Sequence, residues 1–190
     1  DASISDEALV ASSAVTYLEG YGWDPPAAKK AVRRAAAIAH GADQRVALTL
    51  SDPFCVERHR EEFLELIEGH IDILFANEHE ITMLYEVDTF DEALHRVRGQ
   101  CEIAALTRGP AGPVIVAGDD THVLDAPPPN LVDTTAAGDL AAAGCPSTPT
   151  PARHHPTCSQ LATHATPEAA PPAGPPPPRS PPSQAAPVPR

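Results

Sequence analysis

The sequence has few aromatic residues and no long apolar run. Aromatic side chains make up 4% of the 190 residues, against 42% for all hydrophobic residues, so its core must be built mainly from aliphatic side chains. No stretch approaches the roughly 18 consecutive apolar residues of a membrane-spanning helix. The first residues also lack the basic and apolar segments of a signal peptide. We therefore expect a cytoplasmic protein with no membrane partner.

Basic residues and clustered cysteines are scarce as well. Lys and Arg number 13 against 26 Asp and Glu, which gives a formal net charge of −13. Such an acidic chain repels a phosphate backbone, so we expect no nucleic-acid partner. The four cysteines show no C-x-x-C spacing, which argues against a disulfide framework and against a cysteine metal site. They are Cys55, Cys101, Cys145 and Cys158.

The distribution of proline divides the chain. Most of the 23 prolines lie after Gly144, and residues 146–190 contain no Ile, Phe, Tyr, Trp or Met. Such a segment cannot bury enough apolar surface to offset the entropy of the chain. We expect a folded core at 1–144 and a tail at 145–190 that is disordered or the product of a shifted reading frame. The first residue is Asp1 and not Met, so we expect the sequence to be a piece of a longer one.

Alternating strand and helix patterns in the core predict an α/β fold. This alternation is typical of parallel βαβ units, in which ligands bind beyond the carboxyl ends of the strands. Thr89 and Glu92 are predicted to form a capping box, and Tyr21 and Trp23 to lie in a packed loop. Strands are predicted at 14–18, 45–50, 71–76 and 102–107, helices at 27–40, 55–68, 78–85 and 89–98, and a hairpin from 113–117 and 121–125.

Residues 133–139 combine two carboxylates with small and hydroxyl residues, just before a predicted helix. Small residues at a helix N-terminus leave backbone N–H groups free to bind an anion. A carboxylate at the start of the helix can accept the proton of an attacking hydroxyl. An anion hole beside a base is what phosphoryl transfer to an alcohol requires. The alternative for Asp139 is an acidic residue that only stabilises the helix N-terminus.

This segment, D-T-T-A-A-G-D, resembles the D-T-x-G-A-G-D signature of the PfkB (ribokinase-like) carbohydrate and nucleoside kinases. The resemblance implies that Asp139 is the catalytic base. It also implies that the backbone of Ala136, Ala137 and Gly138 forms the anion hole for the transferred phosphoryl group. Ala136 stands where the signature has glycine, and its methyl group is expected to crowd the anion hole at a cost of about 1 kcal/mol.

Two further segments match the family in the same order. Residues 77–80 resemble its N-x-x-E motif, which implies that Asn77 and Glu80 help to hold Mg²⁺ and phosphate, directly or through water. Residues 107–112 resemble its (T/K)-x-G-x-x-G loop, which implies that Thr107, Arg108, Gly109 and Gly112 contact the nucleotide. The alternatives are an ordinary capping box at 77–80 and a plain turn at 107–112. Asp52 is either a turn residue fixed by Pro53 or a residue of the active-site edge.

Taken together, the resemblance implies an incomplete ribokinase-like, Rossmann-like parallel sheet flanked by helices. Residues 17–20 and 48–54 are most like the adenosine-kinase-like branch. The implied cofactors are ATP and Mg²⁺, and the substrate is a sugar or nucleoside phosphorylated on a primary hydroxyl, with a homodimer as the assembly of the full-length parent. We expect no counterpart of the family's N-terminal lid in these residues. The competing hypothesis is a non-catalytic relic or interaction protein whose Pro-rich tail binds a partner.

Overall fold

The structure, a computed structural model, describes residues 7–123. Within this range six strands form one sheet, flanked by helices and by two short 3₁₀ turns at Gly20–Trp23 and Gly109–Ala111. The strands are β1 (Val15–Glu19), β2 (Arg45–Thr49), β3 (Ile73–Asn77), β4 (Ile103–Thr107), β5 (Val114–Ala117) and β6 (Asp120–Val123). The helices are α1 (Glu7–Ser12), α2 (Pro26–Gly41), α3 (Pro53–His70), α4 (Glu78–Tyr85) and α5 (Phe90–Val97).

The strands lie side by side in chain order. The strands β1 to β4 pair in parallel, and β5 and β6 add an antiparallel hairpin beside β4. The predicted α/β fold, with its parallel core and terminal hairpin, is therefore confirmed. The predicted tail at 145–190 and the signature at 133–139 lie outside the described residues, as do the last two positions of the predicted second hairpin strand.

One face of the sheet carries the main core. Because β1 to β4 advance in one direction and parallel crossovers are right-handed, the connecting helices fall on the same face. Helix α2 contacts β1 and β2, and α4 contacts β3 and β4. Full burial of each large aliphatic side chain there contributes about 1.5–3 kcal/mol. Buried members of this core include Val46, Leu48, Leu66, Leu74, Ile81, Leu84, Leu106 and Val114.

The opposite face carries a smaller apolar cluster. Ala47, Ile73 and Phe75 are buried there, and the ring centroids of Tyr17 and Phe75 lie 6.4 Å apart. Strands of parallel sheets are apolar on both sides, and the first four residues of β3, I-L-F-A, follow that rule. None of the helices in residues 7–123 is both long enough and apolar enough to cross a bilayer.

The helix ends follow the local chemistry of the sequence. Pro26 begins α2 and Pro53 begins α3, because proline at the first helical position loses no hydrogen bond. Helix α3 therefore starts two residues before its predicted beginning. Its backbone leaves helical geometry at His59 (φ −125°, ψ 20°), where the ring nitrogen Nε2 lies 2.6 Å from Oδ1 of Asp24.

The capping box predicted at Thr89 is only half formed. The hydroxyl of Thr89 accepts a hydrogen bond from the backbone N–H of Glu92, at 3.3 Å. The carboxylate of Glu92 accepts its bond from the N–H of Asp88, one residue before the cap, also at 3.3 Å. The prediction was thus correct for the cap and wrong for the reciprocal bond.

The turn after β1 was predicted as a packed loop, and this is correct for only one of its aromatic residues. The Trp23 side chain is 1% exposed, whereas Tyr21 is 60% exposed. Residues two apart in a 3₁₀ turn point in different directions, so one ring enters the core and the other does not. The short helix α1 was not predicted, because its six residues carry no clear apolar period.

Trp23 anchors this turn to α2 and α3. Its ring centroid lies 5.8 Å from that of Phe63, and its indole N–H donates to the carboxylate of Glu62. Lys29 Nζ lies 2.7 Å from the same carboxylate. The hydrogen bond from Lys29, with that from Trp23, holds the pKa of Glu62 below its usual range.

We expect Glu62→Gln to remove a pH-dependent contribution to stability. Because the pKa of Glu62 is lowered on folding, its contribution is present above its ordinary pKa of 4.5 and is lost as the pH falls. The carboxylate is 40% exposed, so the loss at pH 7 should not exceed about 1 kcal/mol. Urea unfolding at pH 7, 5 and 3, followed by the fluorescence of Trp23, measures it.

The matched control is Glu65→Gln. Glu65 pairs with Arg33 at 3.2 Å but is 66% exposed, so we expect a smaller effect. If the free energies of unfolding of wild type and Glu62→Gln differ by the same amount from pH 7 to pH 3, the role given to the Glu62 carboxylate is contradicted.

Candidate functional site

Four loops meet at one edge of the sheet. Because β1 to β4 are parallel, the segments that follow them emerge on the same side. Asn77 ends β3 and is the register partner of Thr107, which ends β4. Two of the segments singled out in the sequence, 77–80 and 107–112, therefore begin on neighbouring strands at the same level. This edge is the candidate active site.

Asn77 and Glu80 form a complete capping box at the start of α4. The side-chain oxygen of Asn77 accepts from the N–H of Glu80 at 2.8 Å. In return, the two carboxylate oxygens of Glu80 accept from the backbone N–H of Asn77 at 2.9 Å and from its side-chain amide at 2.7 Å. The capping box given as the alternative for residues 77–80 is therefore confirmed, and a capping box is compatible with the proposed role in binding.

Glu80 is the one charged residue buried in the part of the chain that the structure describes, at 5% exposure. Burial raises the pKa of its carboxyl, and the charge of Asp52 adds to this rise, while the hydrogen bond from Asn77 opposes it. A cation near this carboxylate would compensate for the cost of burying its charge.

The oxygen atoms of Asn77 and Glu80 are of the kind that Mg²⁺ binds. Both oxygens of Glu80 are already hydrogen-bonded to Asn77, and residues 7–123 contain no group of three or more His, Cys, Asp or Glu side chains arranged to hold a metal. Mg²⁺ usually keeps several waters and takes one or two carboxylates together with substrate phosphates. Asn77 and Glu80 therefore fit Mg²⁺ held through water rather than in a direct protein cage.

Arg108 braces the loop that follows β4. Its Nε donates to the carbonyl of Gly112 at 3.1 Å, and one terminal nitrogen donates to that of Ala111 at 3.0 Å. The guanidinium carbon also lies 5.1 Å from the ring centroid of Phe90. Gly109 (φ 52°) and Gly112 (φ 80°) have positive φ angles, which favour glycine. The spacing of the two glycines in the motif therefore follows from the backbone conformation of the loop.

The turns after β1 and β2 interlock. A Cβ atom on Gly20 would lie 2.5 Å from the carbonyl oxygen of Leu50, so only glycine fits there. The N–H of Tyr21 donates to the hydroxyl of Ser51 at 3.3 Å, and the buried Cys55 thiol donates to the carbonyl of Gly20 at 3.1 Å. Ser51 itself has φ 74°, an uncommon conformation for a residue with a side chain.

Asp52 is the N-cap of α3 and lies at the carboxyl edge of the sheet. Its Oδ1 accepts from the N–H of Cys55 at 2.8 Å and caps α3. It follows β2, whose carboxyl end lies at this edge, and its charge adds to the effect of burial in raising the pKa of Glu80. It is a cap and a residue of the edge at once.

Two aromatic rings at this edge are exposed. Tyr21, in the turn after β1, is 60% exposed, and Phe54, in the first turn of α3, is 72% exposed. Tyr21 was predicted to lie in a packed loop, which is wrong for its ring, and Phe54 was given no role of its own.

The remaining site residues predicted from the sequence are Asp139, Ala136, Ala137 and Gly138. They lie outside the described residues, and their roles stay predictions.

Comparison with known proteins gives a family match. The family model described as pfkB family carbohydrate kinase matches residues 1–164. A search of the curated proteins gave no match.

Solved structures give close matches. An adenosine kinase from Sinorhizobium meliloti is 46% identical, with a TM-score of 0.78 over 85% of this chain and 50% of its own. A probable sugar kinase from Rhizobium etli is 44% identical, with a TM-score of 0.80 over 85% of this chain and 49% of its own.

An adenosine kinase from Trypanosoma brucei brucei is 20% identical, with a TM-score of 0.77 over 88% of this chain and 54% of its own, and shows likeness of fold alone. The chain thus spans about half the length of these structures. The predicted ribokinase-like fold is confirmed.

The interlocked turns predict a large difference between two neighbouring glycines. Gly20→Ala should destabilise the fold by about 1–3 kcal/mol, because the new methyl group meets a backbone oxygen that cannot move freely. Gly22→Ala is the control, since nothing lies within 4 Å of its Cβ position, and its effect should stay within about 0.5 kcal/mol. Urea unfolding compares them, and equal stabilities would contradict the interlock.

Proposed function

The chain belongs to the pfkB family of carbohydrate kinases, and from this we propose that it carries part of the core of a kinase that transfers the γ-phosphoryl group of ATP to a primary hydroxyl. One observation carries the proposal: the Asn77–Glu80 pair and the 107–112 loop begin on neighbouring strands at the carboxyl edge of the sheet. This is where open α/β sheets bind ligands.

Each element of this edge has a role in the proposed reaction. The 107–112 loop, with Thr107, Arg108, Gly109 and Gly112, contacts the nucleotide. Asn77 and Glu80 hold Mg²⁺ through water, and when bound this ion neutralises charge on the phosphates. Asp139 takes the proton of the acceptor hydroxyl, and the backbone of residues 136–138 stabilises the charge on the transferred group.

The acceptor proposed here is a nucleoside of the adenosine type, with a simple sugar as the second candidate. Tyr21 and Phe54 support a nucleoside, because exposed aromatic rings beside a polar site suit stacking against a planar base. The matched structures leave both acceptors open, since one is titled an adenosine kinase and the other a probable sugar kinase. A cytoplasmic location and a homodimeric parent complete the proposal.

A non-catalytic relic is the second candidate function. One feature favours it: Ala136 replaces the first glycine of the G-A-G-D segment, at the proposed anion hole. In that case the chain keeps the α/β core, and its Pro-rich tail binds a partner.

Phosphoryl transfer by the chain decides between the two functions. With Mg·ATP and adenosine or D-ribose, we expect transfer to rise in Ala136→Gly, because removing the methyl group opens the anion hole. In either background Asp139→Asn should lower the rate by about 10²- to 10⁴-fold. The rate is measured as the transfer of a labelled γ-phosphoryl group from ATP to the acceptor.

Asp91→Asn is the matched control, since Asp91 is an exposed carboxylate in the first turn of α5 and should not affect the rate. Transfer that survives Asp139→Asn would contradict the base. An absence of transfer by both wild type and Ala136→Gly would favour the relic.

A further inference from the structure

The loop that follows β4 closes on the side chain of its own Arg108. Nε donates to the carbonyl of Gly112 at 3.1 Å, and Nη2 donates to that of Ala111 at 3.0 Å. Both bonds leave the same edge of the guanidinium, which is an edge that can bind a carboxylate or a phosphate with two parallel N–H groups. In this loop that edge is occupied by two backbone oxygens.

Two glycines make this loop costly to hold in one conformation. Gly109 and Gly112 have positive φ angles, and glycine loses more conformational freedom on ordering than any other residue. The backbone contributes a bond from the N–H of Ala111 to the carbonyl of Arg108, at 3.1 Å, and one from the N–H of Gly112 to the carbonyl of Gly109, at 3.2 Å. The two side-chain bonds of Arg108 add to these and offset the entropy that the loop loses.

Arg108 also connects the loop to the core. Its guanidinium carbon lies 5.1 Å from the ring centroid of Phe90, the first residue of α5. The Phe90 side chain is 8% exposed and belongs to the main core, so its position is fixed by packing. A guanidinium is attracted to the face of such a ring. Arg108 therefore joins a core residue to the exposed residues of the loop, Gly109, Pro110 and Ala111.

We propose that Arg108 is a positioning residue for the nucleotide: it holds the 107–112 loop in the shape that binds the nucleotide, and its charge is not a ligand of the phosphates. The inference rests on the proposed function and deepens it. Holding the loop in place before the nucleotide arrives removes an ordering cost from binding. Thr107, Gly109 and Gly112 then make the contact, from a loop that begins beside Asn77 on the neighbouring strand.

Two substitutions of Arg108 separate the shape of the loop from the charge. Arg108→Ala removes both. Arg108→Lys keeps the positive charge, but its single ammonium nitrogen lacks the planar fork that reaches two carbonyls. Calorimetry on the whole chain measures the affinity for Mg·ATP. We expect both variants to weaken binding about 3- to 10-fold, and by the same factor at low and at high salt, because no contact between charges is lost.

Arg98→Ala is the matched control. Arg98 is also half-buried and bonds to the same hairpin, since its Nη2 donates to the hydroxyl of Thr121 at 3.0 Å. Thr121 pairs with Val116, which pairs with Ala104 near the start of β4, away from the candidate site. We expect Arg98→Ala to leave the affinity for Mg·ATP unchanged. Unfolding followed by the fluorescence of Trp23 shows that each variant is folded.

Hydrogen exchange without nucleotide tests the hold on the loop by itself. The N–H groups of Ala111 and Gly112 are hydrogen-bonded within the loop. We expect them to exchange about 10-fold faster in Arg108→Ala and in Arg108→Lys than in wild type, and at the wild-type rate in Arg98→Ala. If Arg108→Ala does not fold, Arg108→Lys alone must show both the faster exchange and the weaker binding.

The outcomes separate this inference from the proposed function. Unchanged exchange in the Arg108 variants, or wild-type affinity for Mg·ATP in Arg108→Lys, would overturn the positioning role and leave the kinase proposal intact. A wild-type chain that binds no Mg·ATP would overturn the proposed function and the role of Arg108 toward the nucleotide. Hydrogen exchange would still decide whether Arg108 holds the loop.

Discussion

Parallel pairing of β1 to β4 is the constraint on which the rest of the molecule depends. It aligns the carboxyl ends of four strands at one edge, and it does so in register, since Asn77 and Thr107 are direct partners. The right-handed crossovers that parallel pairing requires then bring the helices onto one face, where their apolar sides form the core. The core holds the sheet, and the sheet brings together loops that lie far apart in sequence.

Polar groups at this edge are restrained by each other. Glu80 is buried, and each of its carboxylate oxygens accepts a hydrogen bond from Asn77. The turns after β1 and β2 interlock through Gly20, Ser51 and Cys55. These contacts hold the polar groups of the site in place without a ligand, which is what the proposed phosphoryl transfer would require of a site that acts by positioning.

Much of this fold could be predicted from local patterns. Strand β2 and helix α4 follow from an apolar run and an N-cap, and they were found to within a residue or two. The exposure of Tyr21 was not predictable, because it depends on Trp23 packing against Phe63 and Glu62, about forty positions away. The hydrogen bond from the N–H of Tyr21 to the hydroxyl of Ser51 joins two loops across the sheet edge, and sequence spacing does not reveal it. Residues 77–80 show the reverse: their motif predicts chemistry and a helix cap equally well, and the structure contains the cap.

Nucleotide binding at the carboxyl edge is the central feature of the proposed function. Residue-resolved amide chemical shifts of the chain, recorded by NMR during titration with Mg·ATP, locate that binding. We predict shifts at Asn77, at Glu80 and along 107–112, with none at Asp43 or Gly99 at the opposite ends of the strands. Shifts confined to that opposite edge, or no shifts at saturating Mg·ATP, would contradict it.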